Sequence, residues 1–582
     1  MKNLNLFFIL ALSLLLGEFV MGQEVIYLSP VPNSKYNMEQ TNIVIGYSKE
    51  LTNTEIKSVR INVFGSKSGQ TGGEILAVEN NKKLIFIPNA PFTLGEKVTV
   101  SVNIPKLEIS FYIREKIAPV ITNEVNRYEL KEFYKEINKN SADDIPQLRI
   151  LQSGETAPGY IFIANFTPYY YNPTYLMILN NNGIPYYARQ LTYRGYDFKK
   201  QDNGLLTFYD EKSHHYKAIN QMNEIVDSFK CGNGYSTDFH ELQVMNDGSA
   251  WLMSYDPQVV DMSQIVPNGD TAAIVTGLII QKIDDKKNVV FQWRSWDHIE
   301  ITEARFVSLT AHQIDYIHGN AIEVDYDGNI MISCRHTEAI YKINTSTGQL
   351  IWRLGGSLND FTFINDTIGF SYQHDIRRLA NGNISLFDNG NYHTPQFSRA
   401  VEYHLDEAQK TATLVWEYRH IPRLYAPAMG NAQRLPNGNT LIGWGLDTLT
   451  LTEVTPTGEI VYELWLPAGQ WSYRSFRYEW EQIITGNEPK ENQKPNSYQL
   501  LQNYPNPFNP ITTIKYDIPV NGFVKLVVFD VLGREVATLV NSYQTAGRYI
   551  LTYDFSKLSS GIYFYRITVN EFTDVKRMIL MK

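Results

Sequence analysis

The sequence predicts an all-β protein: a six-bladed β-propeller flanked by an N-terminal Ig-like β-sandwich and a C-terminal β-sandwich. Three observations carry this. A hairpin of the form apolar run, polar turn, apolar run with an aromatic recurs six times, starting at Tyr175, Tyr216, Leu278, Ile340, Ala400 and Leu451. A second hairpin with an Asn-Gly or Asp-Gly turn precedes each of the last five copies, with turn glycines Gly204, Gly248, Gly328, Gly382 and Gly438. Two hairpins make four strands, which is one propeller blade. The flanking stretches alternate apolar and polar residues at the period of half-buried strands. A two-sheet sandwich for the central region is the competing architecture.

Taken in order, residues 1–22 read as an export signal. Lys2 is followed by an apolar run from Leu6 to Leu16 that is short for a membrane span, with a cut expected near Gln23. Residues 23–115 hold short Val-, Ile- and Thr-rich runs such as TNIVIGYS and KVTVSVNIP, the N-terminal sandwich. Residues 116–154 read as a connecting segment, with roughly helical spacing at Val125, Leu130, Phe133, Tyr134 and Ile137. The propeller is placed at 155–480. The polar, Pro-containing stretch 481–500 is a linker. Residues 501–582 form the last sandwich.

Composition excludes several function classes. The net charge of −9 gives no basic excess to neutralise phosphates, against a nucleic-acid partner. Two cysteines, Cys231 and Cys334, exclude a disulfide scaffold and any cysteine-clustered zinc or iron–sulfur site. There is no Gly-rich phosphate loop and no Gly-x-Ser-x-Gly elbow.

All eleven histidines fall between His214 and His420, inside the propeller region. Eight residues before each turn glycine stand Tyr196, His240, Asn320, His374 and Gly430. A shared register puts them at one point of successive blades, ringing a mouth of the axial funnel if these strands are innermost. His318 precedes Asn320 by two, so strand alternation places both on one face. Arg335 lies seven residues past Gly328, so its hairpin returns it beside Asn320. Three imidazoles, an amide and a guanidinium suit a sulfate- or phosphate-like group. No Asp or Glu shares the ring positions, which disfavours Mg²⁺ or Ca²⁺. No metal and no cofactor are expected.

The segments DFHELQVMNDGSAWLMSY, HGNAIEVDYDGNIMISCRHTEAIYKINTSTGQLIWRLGG, SYQHDIRRLANGNISLFDNGN and GNAQRLPNGNTLIGWG resemble the bacterial arylsulfate sulfotransferase family over residues 25–480. The resemblance implies nucleotide- and metal-free transfer of a sulfuryl group from a phenolic sulfate to a phenolic acceptor, in a ping-pong cycle through a sulfohistidine. By motif it implies His374 as nucleophile and His240, His318, Asn320 and Arg335 as the sulfuryl-binding group. Tyr196, by register, and Tyr473 match substrate-lining tyrosines. The close cysteine pair of some members is missing, and Gly430 leaves the fifth ring position without a side chain. The motifs NYPNPF, VFD–LG and GIY from Asn503 to Tyr563 resemble the C-terminal sorting domain of type IX secretion cargo. That implies the type IX machinery as partner, passage through the inner and then the outer membrane, and an extracellular or cell-surface location. A homodimer stays open.

Plainer readings stand beside these. A His at a strand end is usually structural, and Arg335 has an ordinary role in a salt bridge to Glu338 or Asp325. His312, His336 and His393 read as loop residues. Trp293, Trp352, Trp416 and Trp465 read as packing between blades, although quinone-dependent dehydrogenases also carry blade tryptophans. A surface propeller that binds anionic ligands without turnover is the main alternative function.

Overall fold

A computed structural model describes residues 24–119, 146–167, 174–220, 223–480, 495 and 497–581. The export signal, the helical spacing at 125–137 and most of the 481–500 linker lie outside them.

The alternation seen in the flanking sequences closes each flank into two packed sheets. In the N-terminal unit, Val25–Ser29, Ile43–Tyr47, Lys83–Pro88 and Gly73–Val78 form one sheet, and Gly69–Thr71, Ile61–Gly65, Lys97–Asn103 and Lys106–Tyr112 the other. Ile43, Ile45, Val63, Leu84, Val98, Val100 and Phe111 fill the space between them. The C-terminal unit repeats the plan with a three-stranded and a four-stranded sheet around Ile514, Leu526, Tyr565 and Ile567.

Between these units lie six sheets, each a run of four antiparallel strands. The first strands of the second to sixth sheets are Gly195–Lys200, Leu242–Val244, Gly319–Val324, His374–Arg378 and Asn431–Arg434. The first sheet takes its corresponding strand, Trp471–Tyr478, from the far end of the region and pairs it with Tyr160–Phe166. Hydrogen bonds between sequence-distant strands thus close the ring, so no edge is left unpaired at the seam. Each sheet touches the next through these first strands, and the sixth touches the first. Arg149–Gln152 pairs with Ile460–Trp465 as a fifth strand of the sixth sheet. The segment read as a connector therefore already contributes to the ring: four residues suffice because backbone pairing and the stacking of Arg149 on Trp465 at 4.6 Å hold them.

The outer tryptophans pack between sheets. Trp352 is buried and donates to Glu407 of the next sheet at 2.9 Å, and Trp416 donates to the Pro456 carbonyl of the sheet after it at 3.1 Å. The N-terminal unit rests on the third sheet, where Tyr27 stacks on Phe291 and bonds the Gln292 carbonyl at 2.8 Å.

Candidate active site

Alternation alone would send consecutive residues of a strand to opposite faces. Here the first strands break that rule. Pairing shifts register between Tyr196 and Lys199, between Gly319 and Ala321, and between His374 and Arg377. Asp197 and Asp375 take φ of 52° and 61°. These bulges let two successive residues both turn inward. The result is two tiers along the axis: Tyr196, His240, His374 and Tyr473 above, and their successors Asp197, Glu241, Asp375 and Arg474 below.

The lower tier is a buried ion network. Arg474 contacts Asp197 at 3.0 Å, Glu241 at 3.0 Å and Asp375 at 3.1 Å. Arg377 reaches Glu241 and Asp375, both at 2.7 Å, and Lys199 holds Asp197 and Glu241. Three carboxylates meet three cations, so the desolvation of each charge is offset by at least two partners. Burial acts to raise the Glu241 carboxyl, yet Arg377, Arg474 and Lys199 outweigh it and hold the group far below the usual range. Contacts among side chains of four sheets place these strands at the axis.

His374 opens the upper tier and is 2% exposed. Its Nδ1 lies 2.7 Å from Asn389 Oδ1. The orientation of that amide is set by its nitrogen, which donates to the carbonyls of Ala426 and Met429 at 2.9 and 3.0 Å. Oδ1 can only accept, so Nδ1 carries the proton and Nε2 the lone pair. The Met429 N–H approaches Nε2 at 3.3 Å. Burial, reinforced by Arg335, His318 and His240, pushes this imidazole well below its ordinary value. His374 is a neutral base with a defined tautomer.

His240 and His318 each rest on a carboxylate. His240 Nδ1 meets Asp238 at 2.5 Å, and His318 Nδ1 meets Asp315 at 2.6 Å. The carboxylate fixes the tautomer and leaves Nε2 for the site. The two rings lie edge to face with centroids 5.3 Å apart. Burial lowers His318 to about 4, with His336 and His240 adding to it and Asp315 opposing it.

His318 does not reach the site by strand alternation. It sits just before its strand at φ 49°, and Arg335 donates its backbone N–H to the His318 carbonyl at 2.8 Å. Arg335 therefore returns beside His318 rather than Asn320. Its guanidinium donates to His336 Nε2 at 2.9 Å and to the Pro427 carbonyl at 3.1 Å, and lies 4.1 Å from the Tyr372 ring centre. Glu338 pairs with Arg305 and Asp325 with Arg378 and Lys342, so neither takes Arg335. Its Nε is buried without a hydrogen-bond partner among the described residues. A guanidinium fixed by neutral partners keeps its charge available to an anion.

Asn320 is fully buried and donates its amide to the Gln373 carbonyl at 2.8 Å. Tyr473 bonds the Asn320 carbonyl at 3.3 Å and sets its ring edge-to-face on His240 at 5.5 Å. Tyr196 packs on Phe239 at 4.7 Å, and Phe239 stacks on His240 at 4.1 Å. The structure thus gathers His240, His318, Arg335 and His374 about one end of the axis, with Tyr473 in contact and Tyr196 one ring away. Asn320 stands between sheets with one amide donor committed.

A family model for arylsulfotransferase (ASST) matches residues 176–466, and one for a secretion system C-terminal sorting domain matches 502–581. The chain belongs to the arylsulfotransferase family. It is a sulfotransferase-type enzyme, and its sorting domain marks it as type IX cargo for the cell surface or extracellular space. No curated protein matches. Similar solved structures include a protein of unknown function from Bacteroides caccae, at 15% identity over 53% of this chain and 93% of that one, TM-score 0.32. Virginiamycin B lyase from Staphylococcus aureus matches at 12% over 55% and 99%, TM-score 0.26. PorZ of Porphyromonas gingivalis, a surface component of the type IX secretion system, matches at 9% over 96% and 100%, TM-score 0.20.

For an arylsulfotransferase the anchoring groups matter as much as the imidazoles, and four of them escaped the sequence reading. Asp238 and Asp315 precede their histidines by two and three residues, a spacing that was readable as a carboxylate–histidine pair. Asn389 and His336 gave no such signal, because loops and not strand register bring them in. His336, read as a loop residue, holds Arg335, while His393 pairs with Asp388 at 2.8 Å and His312 with Asp270 at 2.7 Å. Asp315, His318 and His336 offer ligand atoms within 4.8 Å of one another. Their separations are hydrogen-bond lengths, 2.6 Å for His318 to the carboxylate and 2.6 Å for His336 Nδ1 to the Asp315 carbonyl. Such contacts hold protons between the partners and orient the rings.

Proposed function

We propose that this site moves a sulfuryl group from a phenolic sulfate ester to a phenolic acceptor by a ping-pong cycle through His374. The observation that carries the reading is the Asn389 lock, which leaves a neutral buried imidazole with its lone pair on Nε2, in the electrostatic field of Arg335, His318 and His240.

In the first half-reaction His374 Nε2 attacks sulfur, the S–O(aryl) bond breaks, and its electron pair leaves on the phenolate oxygen. His374 then carries the sulfuryl group on Nε2 and keeps its Nδ1 proton, so the ring is cationic, a charge the Asn389 oxygen accepts. Negative charge spreads over three sulfuryl oxygens in a loose transition state, as in phosphoryl transfer. Arg335 faces that charge from a dry, preorganised position, where one such donor is typically worth about 10²–10³ in rate. Burial first, then His336 and His240, hold His318 neutral; a bound anion opposes those two imidazoles, and Nε2 takes up one proton from solvent as the sulfate ester enters. His240 enters the cycle with a proton on each ring nitrogen, Asp238 accepting the one on Nδ1, and gives its Nε2 proton to the departing phenolate. In the second half-reaction the acceptor phenol returns a proton to His240, its oxygen attacks sulfur, and His374 Nε2 leaves with its pair. Asn320, Tyr473 and Tyr196 complete the walls. We assign this chemistry to residues 155–480, with 23–115 and 501–582 as separate flanking domains and 481–500 as the linker before the sorting domain.

The test is a burst. With 4-nitrophenyl sulfate and no acceptor, the protein should release one equivalent of nitrophenol per chain and stop; phenol should restart turnover. A His374→Asn variant should show neither. Full turnover by that variant would overturn the reading.

A further inference from the structure

Beside Arg335 an aromatic ladder climbs to the surface. Tyr372 touches the guanidinium, Tyr392 meets Tyr372 edge-on at 5.0 Å, and Phe306 stacks on Tyr392 with centroids 3.5 Å apart and planes 11° from parallel. Tyr372 is buried, whereas Phe306 is 51% and Tyr392 47% exposed. Two large rings stacked in water at a site rim are unusual, because monomeric surfaces rarely leave such rings together without use.

Both rings are built in. Phe306 has φ 60°, a left-handed conformation that a bulky residue rarely adopts and that clusters at functional sites. Its neighbour Arg305 donates its N–H to the His336 carbonyl at 2.7 Å and pairs with Glu338 at 3.0 Å. The Tyr392 N–H donates to Ser371 Oγ at 3.2 Å, and Gly390 N–H to the Ser371 carbonyl at 2.9 Å. Each loop is therefore tied to the residue next to Arg335 or next to Tyr372. The rim rings are held in register with the sulfuryl-binding end of the site.

We propose that the Phe306–Tyr392 pair is a platform for the distal ring of a multi-ring phenol or its sulfate. The inference rests on the aryl-sulfate reading of the site. A single ring attached to a sulfuryl group at Arg335 reaches Tyr372. The next ring outward meets the exposed stack, whose apolar faces match a flat aromatic and whose preset geometry lowers the ordering cost of binding.

The experiment compares a two-ring donor, 4-methylumbelliferyl sulfate, with a one-ring donor, 4-nitrophenyl sulfate, on the full chain. Phe306→Ala and Tyr392→Ala should each raise KM for the two-ring donor about tenfold, with kcat within about twofold and the one-ring KM within about twofold. Phe306→Tyr should restore the two-ring KM. Equal changes for both donors, or no change for either, would overturn the platform. If the wild-type protein turns over neither donor, the aryl-transfer reading fails, and calorimetry still decides the platform. Wild-type binding about tenfold tighter for the two-ring sulfate, lost in Phe306→Ala, supports it; equal binding of the two sulfates refutes it.

Discussion

Asn389→Asp isolates the role of the His374 tautomer. The wild-type amide oxygen sits 2.7 Å from Nδ1 as a neutral acceptor. A carboxylate there puts a negative charge against a ring that burial and Arg335 keep neutral. An opposite charge at that range raises a pKa by about 1–3 units. Below the ordinary imidazole value of about 6.5, wild-type His374 stays unprotonated and nucleophilic. The variant ring protonates at higher pH, so activity is lost earlier as pH falls. The acid limb of kcat/KM for nitrophenol release should therefore move up by about 1–3 units, with the plateau above it less affected. The substitution also removes the donation to the Met429 carbonyl, which costs about 1–3 kcal/mol of stability, while the Ala426 carbonyl keeps the Ser398 hydroxyl at 3.3 Å; melting curves read this loss separately. A lower plateau with an unmoved acid limb would mean that Asn389 only supports the loop, and the tautomer argument would be refuted.

Arg335→Lys should lower kcat/KM by about 10²–10³-fold, because an ammonium cannot bond His336 and Pro427 together while lying on Tyr372; a loss under fivefold in initial rates would contradict the assigned role. Arg474→Met strips a cation from Asp197, Glu241 and Asp375 in the fully buried tier, and denaturant unfolding should show about 3–5 kcal/mol less stability. A neutral outcome there would mean that water reaches the axis. His374, His318 and His298 are all depressed, the latter two to about 4 by burial first. The unfolded chain thus binds more protons than the folded one between about pH 6.5 and 4. Stability from these groups is present above that window and lost within it, so the melting temperature should fall by several degrees from pH 7 to 5; a flat profile would contradict their neutral burial.

Much of this was legible in the residues. The hairpin repeat is local, and one count back from each turn glycine located His240 and His374 at equivalent points of separate sheets. The lower tier was not legible. Period-2 reasoning sends Asp197 and Asp375 away from the axis, and the bulges, with both residues at positive φ, turn them inward, whereas Glu241 lies just before its strand, where alternation does not apply. The same device misled the placement of Arg335: Gly319 pairs with Cys334, so the guanidinium follows His318. Asn389 and His336 reach the site through loops whose paths depend on tertiary contacts, for which one sequence carries no periodic signal.

The central claim is a covalent intermediate on one nitrogen. Protein mixed with an aryl sulfate in the absence of acceptor, quenched and digested, should yield a peptide containing His374 that is heavier by one sulfuryl group, with the adduct lost in acid and on adding phenol before the quench. A sulfuryl group on another residue, or unmodified protein during active turnover, would contradict the account.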